Sequence, residues 1–213
     1  GIRFKVATQP YGVAYDGSQL CINSTGVDLP YCYDLDAYAS TKTTVYSSMK
    51  TNVYGGGYHR YRKEWWYPQY ASTTIYRYDT DKKYVGAHNS GMDYMTQVDG
   101  DPGEDTYYVA RWHGSTSSYY SYVSKYKGIT NSQQWTTRSN TSLTDNLSGV
   151  GVHKDHVYVM TYNNNYVYAL RRTNGTRDSS KEFSFKNYPT LATAYGGLLI
   201  TGDSLWRIGY DGY

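Results

Sequence analysis

Short runs in which aromatic or aliphatic residues alternate with polar ones cover most of the chain. Clear examples are the runs at 106–110, 157–162 and 166–170, which are rich in Tyr, Val and Thr. Gly, Asn and Asp clusters separate them, as is typical of β-strands joined by tight turns, because these residues tolerate positive φ angles. No long apolar series with the i, i+3, i+4, i+7 spacing of a helix occurs. The pattern predicts an all-β protein.

A short strand pattern recurs along the chain, with an aromatic residue, a mostly apolar position two residues later, and then a polar turn. The leading aromatic residues are Tyr31, Tyr76, Tyr122, Tyr168 and Trp206, at separations of 45, 46, 46 and 38 residues. The preceding strand repeats as well, since residues 12–22 resemble residues 149–159. A period of about 40–50 residues that carries several strands is the signature of a β-propeller blade.

Five copies in 213 residues predict one domain over residues 1–213, a five-bladed β-propeller of four-stranded antiparallel blades. The last copy ends soon after its turn, so we expect it to lack an outermost strand of its own. We expect the N-terminal run at 2–6 to supply that strand and to close the ring, which removes exposed sheet edges. A β-sandwich with accidental spacing is the alternative.

The two cysteines, Cys21 and Cys32, lie 11 residues apart, as do their repeat equivalents Tyr158 and Ala169. Each pair is therefore expected to be cross-strand neighbours in one hairpin. We predict a Cys21–Cys32 disulfide, which closes a short loop and contributes about 3 kcal/mol in the chain-entropy model. Two buried thiols are the alternative.

Four Asn-x-Ser/Thr sequons favour a secreted glycoprotein over an intracellular protein. The chain opens without a secretory leader, and we interpret it as a mature chain. An extracellular location also favours the disulfide. The predicted glycosylation sites, each in a stretch that reads as a loop, are Asn23, Asn140, Asn146 and Asn174.

Composition narrows the function classes. A net charge of +3 does not indicate a nucleic-acid binder. The sequence contains no run of 18 apolar residues, so it does not predict a membrane-spanning helix. An aromatic content of 17% argues against intrinsic disorder. No Gly-x-Ser-x-Gly elbow, P-loop or Rossmann fingerprint occurs, so we do not expect an enzyme.

Several segments resemble known propeller families. Residues 9–17 are similar to the strand openings of such families, and residues 166–175 to the Tyr-Ala-Leu…Thr-Gly turn of quinoprotein-type repeats. The order of elements over nearly the whole chain resembles olfactomedin domains, which are secreted five-bladed propellers, and residues 182–188 carry the closest part. These motifs are short, so the resemblance is one of architecture without a close family match.

The olfactomedin resemblance implies a calcium ion held by Asp and Asn side chains in the channel. Asp93 falls near one such place, but Arg172 occupies a place that should be acidic. The short Cys21–Cys32 loop also differs from the long-range disulfide of that family. The resemblance therefore implies the fold, and it leaves the metal site in doubt.

The most unusual local feature is an aromatic and basic stretch at 58–67. Its alternation places Tyr58, Arg60 and Arg62 on one face, while the adjacent Trp65 and Trp66 must point to opposite faces of an extended strand. We expect one of these Trp residues to be exposed, where it would stack on a sugar ring beside the Arg side chains. The alternative is that both Trp residues fill the core between blades.

The densest acidic run lies at 99–105. Oxygen ligands from several carboxylates on one loop suit calcium, although the spacing is not that of an EF-hand. We favour a solvated hairpin tip over a calcium site for this run, and we expect no other cofactor. The candidate metal ligands are Asp99, Asp101, Glu104 and Asp105.

The 29 Tyr residues exceed what a blade core needs, so many of them must reach the surface. A Tyr-rich surface offers rigid contact area with an apolar face and a polar tip. We therefore predict a secreted, non-catalytic recognition module, with carbohydrate as the first-choice ligand and extracellular proteins as other partners. The alternatives are a structural or adhesive protein that assembles through Tyr-rich surfaces, and a glycosidase of the propeller type.

Overall fold

The computed structural model describes residues 10–24, 27–34, 42–44, 52–112, 121–137, 143, 146–162, 166–185, 197–201 and 204–207. These residues form antiparallel strands and one short 3-10 helix at Ser179–Lys181, so the all-β prediction is confirmed. No helix in this part of the chain is long and apolar enough to cross a membrane.

The strands form five antiparallel sheets, each built from consecutive segments of the chain. Sheet 1 contains β1 (Pro10–Tyr15), β2 (Gln19–Ser24), β3 (Val27–Asp34) and β4 (Lys42–Thr44). Sheet 2 contains β5 (Gly57–His59), β6 (Glu64–Pro68), β7 (Thr74–Tyr78) and β8 (Tyr84–Asn89). Sheet 3 contains β9 (Met95–Gly100), β10 (Thr106–Arg111), β11 (Tyr122–Lys127) and β12 (Ser132–Thr136). Sheet 4 contains β13 (Leu147–His153), β14 (His156–Thr161), β15 (Tyr166–Arg171) and β16 (Phe183–Ser184), and sheet 5 contains β17 (Leu198–Thr201) and β18 (Ser204–Arg207).

The first strand of each sheet lies at a common axis. β1 contacts β5, β5 contacts β9, β9 contacts β13, β13 contacts β17, and β17 contacts β1. The sheets therefore radiate from the axis in a propeller-like arrangement. The expected register is confirmed as well, because Cys21 pairs with Cys32 on β2 and β3, while Tyr158 pairs with Ala169 on β14 and β15.

The prediction of five four-stranded blades is wrong for the described residues, which form four such sheets and one two-stranded sheet. The repeated aromatic residue marks the third strand in sheets 1–4, as with Tyr31 in β3 and Tyr168 in β15. Trp206, in contrast, lies on β18, the second strand of sheet 5. The short last spacing thus reflects a shift by one strand. The N-terminal run at 2–6 lies outside the described residues, and closure by it stays a prediction.

The side chain of Gln97 fills the axis. It is almost fully buried, and its Nε2 donates hydrogen bonds to the carbonyl oxygens of Val13 at 3.0 Å, Leu198 at 3.0 Å and Gly56 at 3.3 Å. Its Oε1 accepts from the backbone N–H of Val150 at 3.0 Å and of Leu198 at 2.9 Å. One carboxamide on β9 therefore links the axial segments of the other four sheets.

Glycines let the inner strands approach one another around Gln97. A Cβ added to Gly12 would overlap the Cα of Gly55, and one added to Gly149 would lie 2.5 Å from the backbone N of Leu198. Only glycine permits such contact between backbones. The axis is therefore closed at this level.

Candidate functional site

The structure buries both Trp residues of the stretch at 58–67. The exposed fractions are 0% for Trp65 and 1% for Trp66, so the expectation that one of them is exposed is wrong. They do point to opposite faces, as predicted. Trp65 packs with Cys32 and other residues of sheets 1 and 2, and Trp66 packs with residues of sheets 2 and 3 such as Tyr107. Both faces of a propeller blade are covered by neighbouring blades, so alternation along the strand exposes neither residue.

The other residues of the predicted ligand site contact groups of the protein itself. Tyr58 is buried and contacts the Trp65 ring edge-on. Arg62 makes a bidentate ion pair with Asp105, with Nε 2.6 Å from Oδ1. The Arg60 guanidinium lies 3.7 Å from an oxygen of Asp99. None of the five residues predicted to bind a sugar therefore offers an exposed aromatic platform, and the exposed ring of this stretch is that of Tyr61.

The acidic run at 99–105 is only in part a solvated hairpin tip, because Glu104 is exposed whereas Asp99 and Asp101 are buried. Asp99 accepts hydrogen bonds from the backbone N–H of Val152 and of Gly100, and burial raises the pKa of its carboxyl despite the nearby Arg60. Within the described residues no group of three or more His, Cys, Asp or Glu is placed to hold a metal ion.

The remaining carboxylates of this run each face a basic or polar partner. Glu104 lies 2.6 Å from the Nζ of Lys125, which lowers the pKa of its carboxyl. Asp101 accepts a hydrogen bond from the hydroxyl of Tyr108 at 3.1 Å and lies 3.4 Å from the guanidinium of Arg172. The charges at this end of the ring therefore form ion pairs that connect sheets 2, 3 and 4.

The four sequons differ in their exposure to solvent. Asn23 is buried on β2, where its amide donates to the backbone oxygen of Tyr54, so the prediction that it lies in an exposed loop is wrong. Asn174 is exposed in the turn after β15. Asn146 is half-buried just before β13, and Asn140 lies outside the described residues.

The predicted disulfide is present between Cys21 and Cys32, and their Cα atoms lie 4.0 Å apart. It joins directly paired positions of β2 and β3. The sulfur atoms belong to the cluster that contains Trp65, so the bond forms part of the core between sheets 1 and 2.

A pocket of about 320 Å³ opens at one end of the ring. In each antiparallel blade the inner strand begins at the same end at which the second strand finishes, so side chains from these two places meet. The residues that line the pocket are Tyr11, Tyr54, Tyr70, Thr96, Trp112, Leu147, Ser148 and Tyr162. We call this the aromatic pocket.

Its aromatic rings contact one another in series. Tyr54 stacks on Tyr70 with ring centres 4.3 Å apart, and Tyr11 meets Tyr54 edge-on at 4.7 Å. Trp112 follows, 6.4 Å from Tyr70 and 6.4 Å from Tyr162. All five side chains are half-buried, so each presents part of its ring. Thr96 and Leu147, which are buried, lie beneath them.

The aromatic pocket is electrically neutral. None of its described lining residues carries a charge. Burial raises the pKa of Tyr54 to about 12, helped by the neighbouring phenols of Tyr11 and Tyr70, so its hydroxyl stays protonated. The nearby Arg111 is paired with Asp93 at 2.6 Å.

The sequence did carry a signal for this pocket. Tyr70, Trp112 and Tyr162 come one or two residues after the second strands of sheets 2, 3 and 4, at separations of 42 and 50 residues. An aromatic residue at that point of successive blades must reach the same end of the ring. These residues lie just beyond the second strands, outside the repeated strand patterns described above.

Comparisons with known proteins show the fold. No protein-family model and no curated protein sequence matches the chain. A chain of a crystal structure titled as a nidogen/laminin complex is similar, with a TM-score of 0.64 and 12% identity over 95% of this chain and 73% of that chain. Hydrazine synthase of Kuenenia stuttgartiensis is similar with a TM-score of 0.58 and 13% identity over 87% of this chain. This chain covers 52% of that second one.

At these identities the likeness shows a propeller-like fold and nothing about function. The olfactomedin resemblance was one of architecture without a close family match, and it stays a prediction.

Proposed function

We propose that the protein is a secreted, non-catalytic recognition module that binds carbohydrate in the aromatic pocket. The observation that carries the proposal is the set of five half-buried aromatic rings around a neutral concavity. A sugar ring has an apolar C–H face that gains free energy when it covers an aromatic ring, and its hydroxyls can pair with the phenol hydroxyls of the Tyr residues. The disulfide supports an oxidising compartment.

Glycan-array binding of the wild type and of Trp112→Ala tests the proposal. Loss of one stacking partner is worth about 1–3 kcal/mol, so binding should weaken roughly 5- to 150-fold. Tyr61→Ala is the matched control, because Tyr61 is 57% exposed and does not line the pocket. Binding that is unchanged in Trp112→Ala, or lost equally in Tyr61→Ala, would contradict the proposed site.

Self-assembly is the second candidate, because Tyr84 and Val85 are both exposed on β8, the outer strand of sheet 2. Open strand edges with apolar residues favour association with another chain. Sedimentation of the wild type and of Val85→Lys over a range of concentrations tests this candidate. Association of the wild type that increases with concentration and is reduced in Val85→Lys would support self-assembly.

A glycosidase receives less support. Hydrolysis of a glycosidic bond usually needs two carboxyl groups about 5–9 Å apart beside the bound sugar. The described lining of the aromatic pocket includes no Asp or Glu.

We also propose that the run at 2–6 completes sheet 5, which has two described strands. Removal of residues 1–6 should then lower the melting temperature, because an outer edge of sheet 5 loses its partner. Replacement of residues 2–6 by a Gly/Ser segment of equal length should have the same effect. An unchanged melting temperature in both variants would contradict closure of the ring by this run.

A further inference from the structure

The aromatic pocket has a closed floor. Thr96 and Leu147 are buried below the rings, and the next residue of β9 after Thr96 is Gln97, whose carboxamide is bonded to the backbone around the axis. At the same level the backbones of Gly12 and Gly55 are in contact. A ligand can therefore enter the ring from this end but cannot pass along the axis.

The volume limits what fits above that floor. The pocket measures about 320 Å³, near the lower end of the usual range for small-molecule sites, which is roughly 300–1,000 Å³. A pocket of this size takes a small ligand and cannot enclose a long chain. Only the first units of a long oligosaccharide would fit in the pocket, and the rest of its chain would extend into solvent.

The distribution of charge decides between neutral and acidic sugars. Arg60 and Arg62 lie near the end of β5 and pair with Asp99 and Asp105, whereas the pocket lies where the inner strands begin. Arg111, which is close to the pocket through Tyr94, is 11% exposed in its side chain and paired with Asp93. Among the residues that the structure describes around the pocket, an acidic ligand would therefore find no unpaired cation to compensate for the loss of its hydration.

We infer that the aromatic pocket binds the terminal unit of an uncharged glycan, which it takes end-on. This inference rests on the proposed carbohydrate function and deepens it. The aromatic rings would cover the apolar face of the terminal sugar, while the closed floor would exclude the interior of a chain.

Calorimetry with defined sugars tests the inference. The probes are neutral mono-, di- and tetrasaccharides of glucose, galactose, mannose and N-acetylglucosamine, together with oligogalacturonate and a heparin tetrasaccharide. We expect at least one neutral series to bind, with affinities for the di- and tetrasaccharide within about threefold of each other. We also expect little change between about 0.05 and 1 M NaCl, because ionic screening acts only on charge interactions. Trp112→Ala and Tyr54→Ala should each weaken binding by about tenfold or more, and thermal melting of each variant shows whether it is folded.

The outcomes separate the inference from the proposed function. An affinity that rises by about tenfold from the disaccharide to the tetrasaccharide would show a groove and overturn end-on binding. Tighter binding of the acidic sugars that weakens with salt would overturn the neutral ligand. In both cases sensitivity to Trp112→Ala would leave the proposed function standing. No binding to any of the neutral or acidic sugars would overturn both.

Discussion

The carboxamide of Gln97 pairs with both backbone groups of Leu198, accepting from its N–H at 2.9 Å and donating to its carbonyl at 3.0 Å. The side chain of Gln97 on β9 thus makes the same pair of hydrogen bonds to β17 that the backbone of a neighbouring strand would make. Because β9 and β17 belong to sheets separated along the chain by a whole blade, this contact forms only when the ring is assembled.

Replacement of Gln97 by Leu should therefore destabilise the whole ring. Leu leaves the buried N–H of Val150 and both backbone groups of Leu198 without the side-chain partner they have now. The expected loss is about 2–4 kcal/mol of unfolding free energy, measured by urea denaturation. Gln134→Leu is the control, because Gln134 is exposed on β12 and its change should stay within about 0.5 kcal/mol. Equal stability of the two variants would contradict the role of Gln97.

Trp65→Ala and Trp66→Ala should each lower stability strongly, because both indoles are fully buried between blades. Removal of a buried Trp side chain costs about 3–5 kcal/mol. Differential scanning calorimetry of the two variants, with Tyr61→Ala as the exposed aromatic control, measures the effect. A melting temperature close to that of the wild type in either variant would place that Trp outside the core.

The fold should begin to lose stability at pH values well above those at which carboxyl groups titrate. Burial lowers the pKa of His59 to about 4 and that of His88 to about 3, with help from the cations of Arg62 and Arg77. A His in the unfolded chain has a pKa near 6.5, so the unfolded state binds more protons below that pH. The contribution of the neutral His residues is thus present above about pH 6.5 and is lost as the pH falls toward 4.

Between pH 7 and pH 5 we expect the unfolding free energy to fall by about 2–4 kcal/mol, measured by urea titration at each pH. The raised pKa of the buried Asp99 opposes this trend, since it favours the folded state in acid. His88→Phe isolates one group, because both ring nitrogens of His88 are buried without a hydrogen-bond partner and its ring packs on Trp66. This variant should lose about half of the pH dependence, and an unchanged dependence would show that His88 does not contribute.

Glycosylation should distinguish the exposed sequon from the buried one. On secretion from a eukaryotic host, Asn174 is expected to carry a glycan because it lies in an exposed turn. Asn23 is expected to carry none, because its amide is buried against Tyr54. Intact mass before and after enzymatic release of N-linked glycans should shift for the wild type, and the shift should be smaller for Asn174→Gln. A glycopeptide that contains Asn23 would contradict the buried position.

Local pattern was enough to predict several features of the fold. Alternation and turn residues indicated strands, and the repeat aligned Cys21 with Tyr158 and Cys32 with Ala169, which placed the disulfide partners in register. Such features depend on neighbours along the chain or across one hairpin. The period also indicated a propeller-like ring, although it placed Trp206 one strand too far along its blade.

The candidate site was not predicted, for a physical reason. Alternation shows that Trp65 and Trp66 face opposite sides of a strand, but it does not show what covers each side. In this ring both sides are covered by other blades. Conversely, Tyr54, Trp112 and Tyr162 lie in or beside connecting segments, where strand pattern carries no information about exposure.

The sequence by itself determined that the chain is β-structured, repetitive and joined by one short-range disulfide, because alternation, turn chemistry and hairpin register are local properties. Only the tertiary structure decided which aromatic residues are core and which line a pocket. It also decided that Gln97 closes the axis and that Arg60 and Arg62 are paired with Asp99 and Asp105. These depend on which blades become neighbours, and contacts between residues far apart in the chain are settled only when the ring closes.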